Sequence, residues 1–166
     1  MRVELKKYEV YMAAEVGIRR HLISMDSPVS NMVGNKNYNW KTHIDAACAE
    51  LSVAKALNIY WDGSVNKFKK DGPDLPPDIE VRTTEHANGH LILRDGDKNF
   101  CNEWRFVLVV GEAPVFKLIG WIYCHEGILL GKEMDDDKDW SSWWISQDNL
   151  RPISEMPERG SRSIKI

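Results

Sequence analysis

The stretch "DGPDLPPDIEVRTT", residues 71–84, sets Asp74, Asp78 and Glu80 close together with Arg82 two places beyond the last acid. Carboxylates this near raise one another's pKa unless a cation sits among them. Mg²⁺ is commonly held by one or two carboxylates, waters and a substrate phosphate, so Asp74 and Glu80 are candidate ligands for Mg²⁺ or Mn²⁺. A strand starting near Asp78 would put Asp78, Glu80 and Arg82 on one face and turn Ile79 and Val81 to the core. Arg82 would then stand beside the acids, able to stabilise negative charge on a phosphate. Asp78, directly after Pro76-Pro77, reads as a cap at the strand entry, and the prolines as residues that keep the approach extended. A solvated acidic turn is the other reading of the same acids.

These residues need elements to position them. Apolar residues at Val10, Ala13, Ala14, Ile18 and Leu22, with charges between, predict a first amphipathic helix in "KKYEVYMAAEVGIRRHLISM". "SPVSNMVGNKNYN" breaks it. A second helix is expected from Thr42 or His43 to about Leu57, burying Ala46, Ala47, Leu51, Ala54 and Leu57. Glu50 falls beside that stripe, as a further acid for the site or as a partner for Lys41 or Lys55. Four runs follow with strand character, "DIEVRTT", "HLILR", "RFVLVVG" and "VFKLIGWIY". Four strands in about forty-five residues predict mainly antiparallel pairing, with "EHANGH" as a hairpin turn. The fold class is therefore α+β: two N-terminal helices on a mixed, mainly antiparallel sheet of four to five strands. We expect one domain over 1–155 and a flexible tail over 156–166. Before the tail, "MDDDKDWSSWW" predicts an exposed acidic loop and a segment docking Trp140, Trp143 and Trp144 on the core.

Composition narrows the function. With 43% hydrophobic and 28% charged residues the chain is globular in type, and no run approaches the roughly 20 apolar residues of a membrane span. The N-terminus lacks the apolar core of a signal peptide, so a cytoplasmic location is expected. Cys48, Cys101 and Cys124 form no CxxC pair and suggest neither zinc nor a disulfide framework. Residues 1–70 carry 11 Lys+Arg against 7 Asp+Glu, and residues 71–166 carry 11 against 18. Lys36, Lys41, Lys67, Lys69 and Lys70 in the basic half are candidate phosphate contacts, positioning nucleic acid without reading its sequence. His86 and His90, on opposite limbs of a turn, do not assemble four zinc ligands. Neither GxxxxGK, GxGxxG nor GxSxG occurs.

Asp74, five intervening residues and "EVR" resemble the D-(x)n-(D/E)-x-K signature of the PD-(D/E)XK nuclease superfamily, and Pro73-Asp74 supplies the "PD". "AACAELSVAKAL" offers Glu50 where that superfamily commonly carries an upstream helical glutamate. "W..H...A..E...AK.L...W" from Trp40 to Trp61, with "VRTT", "LIL" and "GWIY", also resembles a group of small phage proteins without an established activity. The superfamily resemblance implies a restriction-endonuclease-like core and a metal-dependent nuclease, with Glu50, Asp74, Glu80 and Arg82 as catalytic residues. It further implies Asp74 and Glu80 on Mg²⁺ or Mn²⁺ and nucleic acid, DNA in the first instance, as partner. One position departs from the pattern: Arg82 stands where the lysine usually does, and arginine does not readily accept a proton. The alternative is therefore an inactive nuclease fold that binds nucleic acid or a host protein. A second copy of the chain, or a structural role in a phage particle, remains open as well.

Overall fold

The most buried strand organises the molecule. In the computed structural model, which describes residues 1–25, 39–65, 72–100, 103–136 and 140–158, β4 (Arg105–Glu112) is buried along six consecutive residues. Such a run, covered on both faces, is what a near-continuous β-branched and aromatic sequence specifies. β4 lies inside a four-stranded sheet of order β1-β5-β4-β2, formed with β1 (Arg2–Glu4), β2 (Ile79–Thr84) and β5 (Val115–Tyr123). β5 runs antiparallel to both β4 and β1, whereas β2 runs parallel to β4, with Glu80 opposite Phe106 and Arg82 opposite Leu108. A second, antiparallel sheet of order β3-β7-β6 contains β3 (Leu91–Arg94), β6 (Lys132–Asp136) and β7 (Trp140–Ile145).

Alternation along β4 divides the core. Val107 and Val109 join Ile79, Val81, Phe116 and Leu118 under the long helices. Phe106, Leu108 and Val110 turn the other way and meet Leu91, Leu93, Trp143 and Ile145 of the second sheet. The first cluster is capped by α1 (Lys7–Met25) and α2 (Trp40–Ala56), and two shorter α-helices are α3 (Asp95–Phe100) and α4 (Cys124–Leu130). Asn39 starts α2 by accepting the Thr42 N–H at 3.1 Å, the usual N-cap arrangement. At the other end Asn58 takes a left-handed conformation (φ 51°), and the Ile59 N–H closes on the Ala54 carbonyl at 2.9 Å.

The α+β class and the two N-terminal helices agree with expectation, as do the four strand runs. Several particulars differ. "EHANGH" does not join an antiparallel pair, because β2 pairs with β4 and β3 belongs to the other sheet. "DGDKN", which follows the strand run "HLILR", opens the helix α3, and the segment with Trp140, Trp143 and Trp144 is strand β7. Trp143 is buried, while Trp144 is 40% exposed. α1 buries Ala13, Gly17 and His21 and leaves Ile18 and Leu22 exposed, contrary to the predicted stripe. Gly17 sets that rotation: a Cβ there would stand 2.6 Å from the Ile44 Cα and 2.7 Å from the His43 carbonyl oxygen, so the helices cross closest at this residue. Cys48 and Cys124 are buried as thiols. No helix among the described residues is long and apolar enough to cross a membrane. Residues 159–166 of the expected tail lie outside the described residues.

Candidate functional site

The approach to β2 is folded back rather than extended. Leu75 and Ile79 form an antiparallel bridge, the Leu75 N–H reaching the Ile79 carbonyl at 2.9 Å and the Ile79 N–H returning to Leu75 at 3.1 Å. Pro76 and Pro77 sit exposed at the tip, where a missing N–H costs nothing. This reversal returns Asp74 to the strand. The Val81 N–H donates to Asp74 Oδ2 at 2.9 Å, and the Asp74 N–H points at Glu80 Oε2 at 3.3 Å. The two acids of the motif are thus cross-fastened through the backbone.

Glu50 reaches the same place from α2. Burial, the main cause, together with the charges of Glu50 and Glu80, pushes the Asp74 carboxyl well above the usual carboxylate range, against the pull of the Val81 N–H and Arg82. Glu50 and Glu80 are each about 4% exposed, while Asp74 is half-buried and keeps an open side. Ile79 and Val81 face the helices as expected.

Each glutamate already has a cation. Arg20 of α1 forms a two-pronged pair with Glu50, its Nη2 lying 2.9 Å from Oε2, and also donates to the Ser64 carbonyl at 2.7 Å. The Trp61 indole N–H adds a bond to Glu50 at 3.1 Å. Arg82 donates to Glu80 at 2.7 Å, to both oxygens of Asp97 at 3.0 and 3.1 Å and to the Ile92 carbonyl at 3.2 Å, with its head over the Phe106 ring. Four carboxylates (Glu50, Asp74, Glu80, Asp97) gather around two guanidinium groups, and Asp74 is the one that burial and its acidic neighbours push toward the neutral form. In chemical type, an all-oxygen donor set of this kind suits Mg²⁺ or Mn²⁺. Asp74 and Glu80, each tied to the backbone beside the other, are the residues that would hold such an ion.

Arg20, Trp61 and Asp97 escaped the sequence reading. Arg20 sits one turn beyond Gly17, on the side of α1 that approaches α2, and that placement was the available signal. Asp97 stands in a short polar stretch that carries no signal of burial, yet it is fully buried and also accepts the Arg94 N–H at 2.8 Å. Glu50 pairs with neither Lys41 nor Lys55: Lys55 binds Glu9 at 2.6 Å and the Glu4 carbonyl at 3.0 Å. Asp78 bonds Arg105 at 2.6 Å, a clip at the strand entry, and stays outside the acid group.

Among the expected phosphate contacts, Lys36, Lys67, Lys69 and Lys70 lie outside the described residues. Lys41 is surrounded by Asp45 at 2.8 Å, Glu112 at 3.0 Å and Glu85, bonds which hold its ammonium well above the ordinary lysine range. These three acids are the described trio whose oxygens all come within 4.8 Å of one another, and Lys41 already supplies their cation. His43 lies near Arg20 and His21; burial first, then these two neighbours, lower its pKa. His90 packs near Trp144, ring centroids 5.7 Å apart, rather than with His86. Comparison with protein-family models, curated proteins and solved structures gives no match for this chain.

Proposed function

We propose that the protein is a metal-dependent nuclease-like hydrolase that cleaves phosphodiester bonds in nucleic acid. The observation that carries the reading is the chain reversal at Pro76-Pro77, which brings Asp74 beside Glu80 and within the field of Glu50. Asp74 and Glu80 would hold Mg²⁺ or Mn²⁺, and the ion when bound would polarise the scissile phosphate and acidify a water. Arg82 orients Glu80, and Arg20 with Trp61 orients Glu50, so the acids are fixed before substrate arrives. Lys67, Lys69 and Lys70, shortly before Asp74 in sequence, would contact the nucleic-acid backbone. Lys41, committed to three acids, is not proposed for that role. The reading places the protein in the cytoplasm, that of an infected host if the chain is phage-encoded.

The purified protein, incubated with linear, supercoiled and single-stranded DNA in Mg²⁺ or Mn²⁺, is expected to cleave at least one of them. Asp74→Ala and Glu80→Ala should each abolish cleavage; cleavage that survives both sinks the site assignment. A second reading, a nuclease fold that binds without cutting, is favoured by Arg82, whose guanidinium is fully engaged by Glu80, Asp97 and Ile92. Calorimetry separates the two. Mn²⁺ binding lost in Asp74→Ala supports the hydrolase, whereas no binding at millimolar Mn²⁺, with nucleic-acid binding retained, selects the second reading.

A further inference from the structure

α1 is apolar on the wrong side. Its inner face packs on α2 through Ala13, Gly17 and His21, yet Tyr8, Tyr11, Met12, Ile18, Leu22 and Met25 are all exposed, Tyr11 to 76% and Leu22 to 49%. A surface helix ordinarily turns charged and polar residues to water, and a contiguous exposed apolar strip marks an interaction surface. The spacing is specific as well. Residues 8, 11, 15, 18, 22 and 25 step by three and four in alternation, the seam by which one helix packs along another, and only Glu15 interrupts the apolar set.

The charges on this strip choose the partner. Glu15 and Arg19, paired at 2.5 Å along the helix, are both more than half exposed. They lie equally far from Gly17, on either side of it. If a second α1 lies antiparallel with a two-fold axis at the level of Gly17, Glu15 of each copy faces Arg19 of the other, and Met12 faces Leu22. Tyr11 likewise faces the exposed Ile23, so the middle of the strip matches itself in charge and apolar character, which is the requirement for a two-fold interface. A lipid surface would call for Lys and Arg flanking the apolar strip along its length; here exposed Lys6 and Lys7 stand only at its first turn, and along the middle the acid Glu15 balances the base Arg19.

We propose that the exposed face of α1 is a homodimer interface, in which two copies pack their 19-residue helices antiparallel over about 28 Å with reciprocal Glu15–Arg19 pairs. The proposal is independent of the metal reading. Sedimentation equilibrium on the full chain is expected to show a concentration-dependent species of twice the 19.1 kDa chain mass. Leu22→Asp places a charge in the seam at an exposed position and should weaken association by about tenfold or more, the equivalent of ~1.4 kcal/mol. Glu15→Arg should also weaken it, and adding Arg19→Glu should restore it, because the reciprocal pairs re-form with signs exchanged. Thermal melting checks that each variant is folded, and Tyr11→Lys, at the most exposed position, replaces Leu22→Asp if that variant melts early. A chain that remains monomeric at every concentration, a dimer indifferent to Leu22→Asp and Tyr11→Lys, or a charge exchange that restores nothing would overturn the proposal. So would a monomer that sediments with neutral or anionic phospholipid vesicles through this strip.

Discussion

Arg20 of α1 grips Glu50 of α2 with both prongs of its guanidinium, Nη2 standing 2.9 Å from Oε2 and Nη1 bonding Oε1. The pair ties the long helices together at the point where Glu50 turns toward Asp74. The glutamate side chain is about 5% exposed and that of the arginine 18%, so neither charge has bulk water to fall back on. Removing one partner of such a pair is far more costly than removing both, because the survivor is left buried and uncompensated.

Arg20→Ala is accordingly expected to lower unfolding free energy by about 3–5 kcal/mol, read from urea denaturation. Arg20→Met combined with Glu50→Leu should recover most of the loss. If the double variant is no more stable than Arg20→Ala, the cost lies in packing and not in the stranded carboxylate.

Gly17→Ala should destabilise by about 2 kcal/mol, the usual range for overpacking a tight contact. On a free helix the same change is favourable by about 1 kcal/mol, so the sign alone tests the close approach of Gly17 to the Ile44 and His43 backbone. Denaturant midpoints of the two proteins decide it.

Asp74→Asn removes a charge that burial and two neighbouring carboxylates oppose, while keeping an oxygen for the Val81 N–H. Stability is expected to rise by about 1–2 kcal/mol, as often happens where a site is built for function at the expense of the fold. The same variant should lose Mn²⁺ binding in calorimetry. An unchanged or lower melting temperature would show that Asp74 contributes to the fold as an ion.

Acid should weaken the clip between α4 and the C-terminal segment. Burial opposes ionisation of Glu126, yet Arg151, bonded at 2.5 Å, and the Tyr123 N–H at 3.3 Å hold its carboxyl below the ordinary value of 4.5. A carboxyl depressed in the folded state contributes stability that is fully present above 4.5 and is lost as pH falls through the folded value. Glu126→Gln should cost about 1 kcal/mol at neutral pH, the upper end for a part-exposed pair, and flatten the acid limb of a stability-versus-pH curve.

The local content of the sequence sufficed for much of the architecture. The apolar spacing of α2 placed its end near Leu57, as observed, although the Asn39 cap starts the helix at Trp40, ahead of the expected Thr42 or His43. The β-branched run of β4 is recognisable because a strand covered on both faces must be apolar at every position. For the same reason Asp74, Glu80 and Arg82 could be singled out from spacing alone, their positions along one short segment being set by the backbone. Partners far apart in the chain were another matter. β2 takes β4 as a parallel neighbour although β3 comes first in sequence, and strand alternation carries no information about which edge a strand will join. α1 shows apolar residues on two faces, and only the contact of Gly17 with the Ile44 backbone determines that Ala13 and His21 go inward while Leu22 stays out. Glu50 had Lys41 and Lys55 on its own helix and binds Arg20 instead, because the crossing of α1 and α2 presents that guanidinium to it. Local sequence fixes which residues can share a face; which faces meet, and therefore which charges must be buried together, is decided by packing over the whole chain.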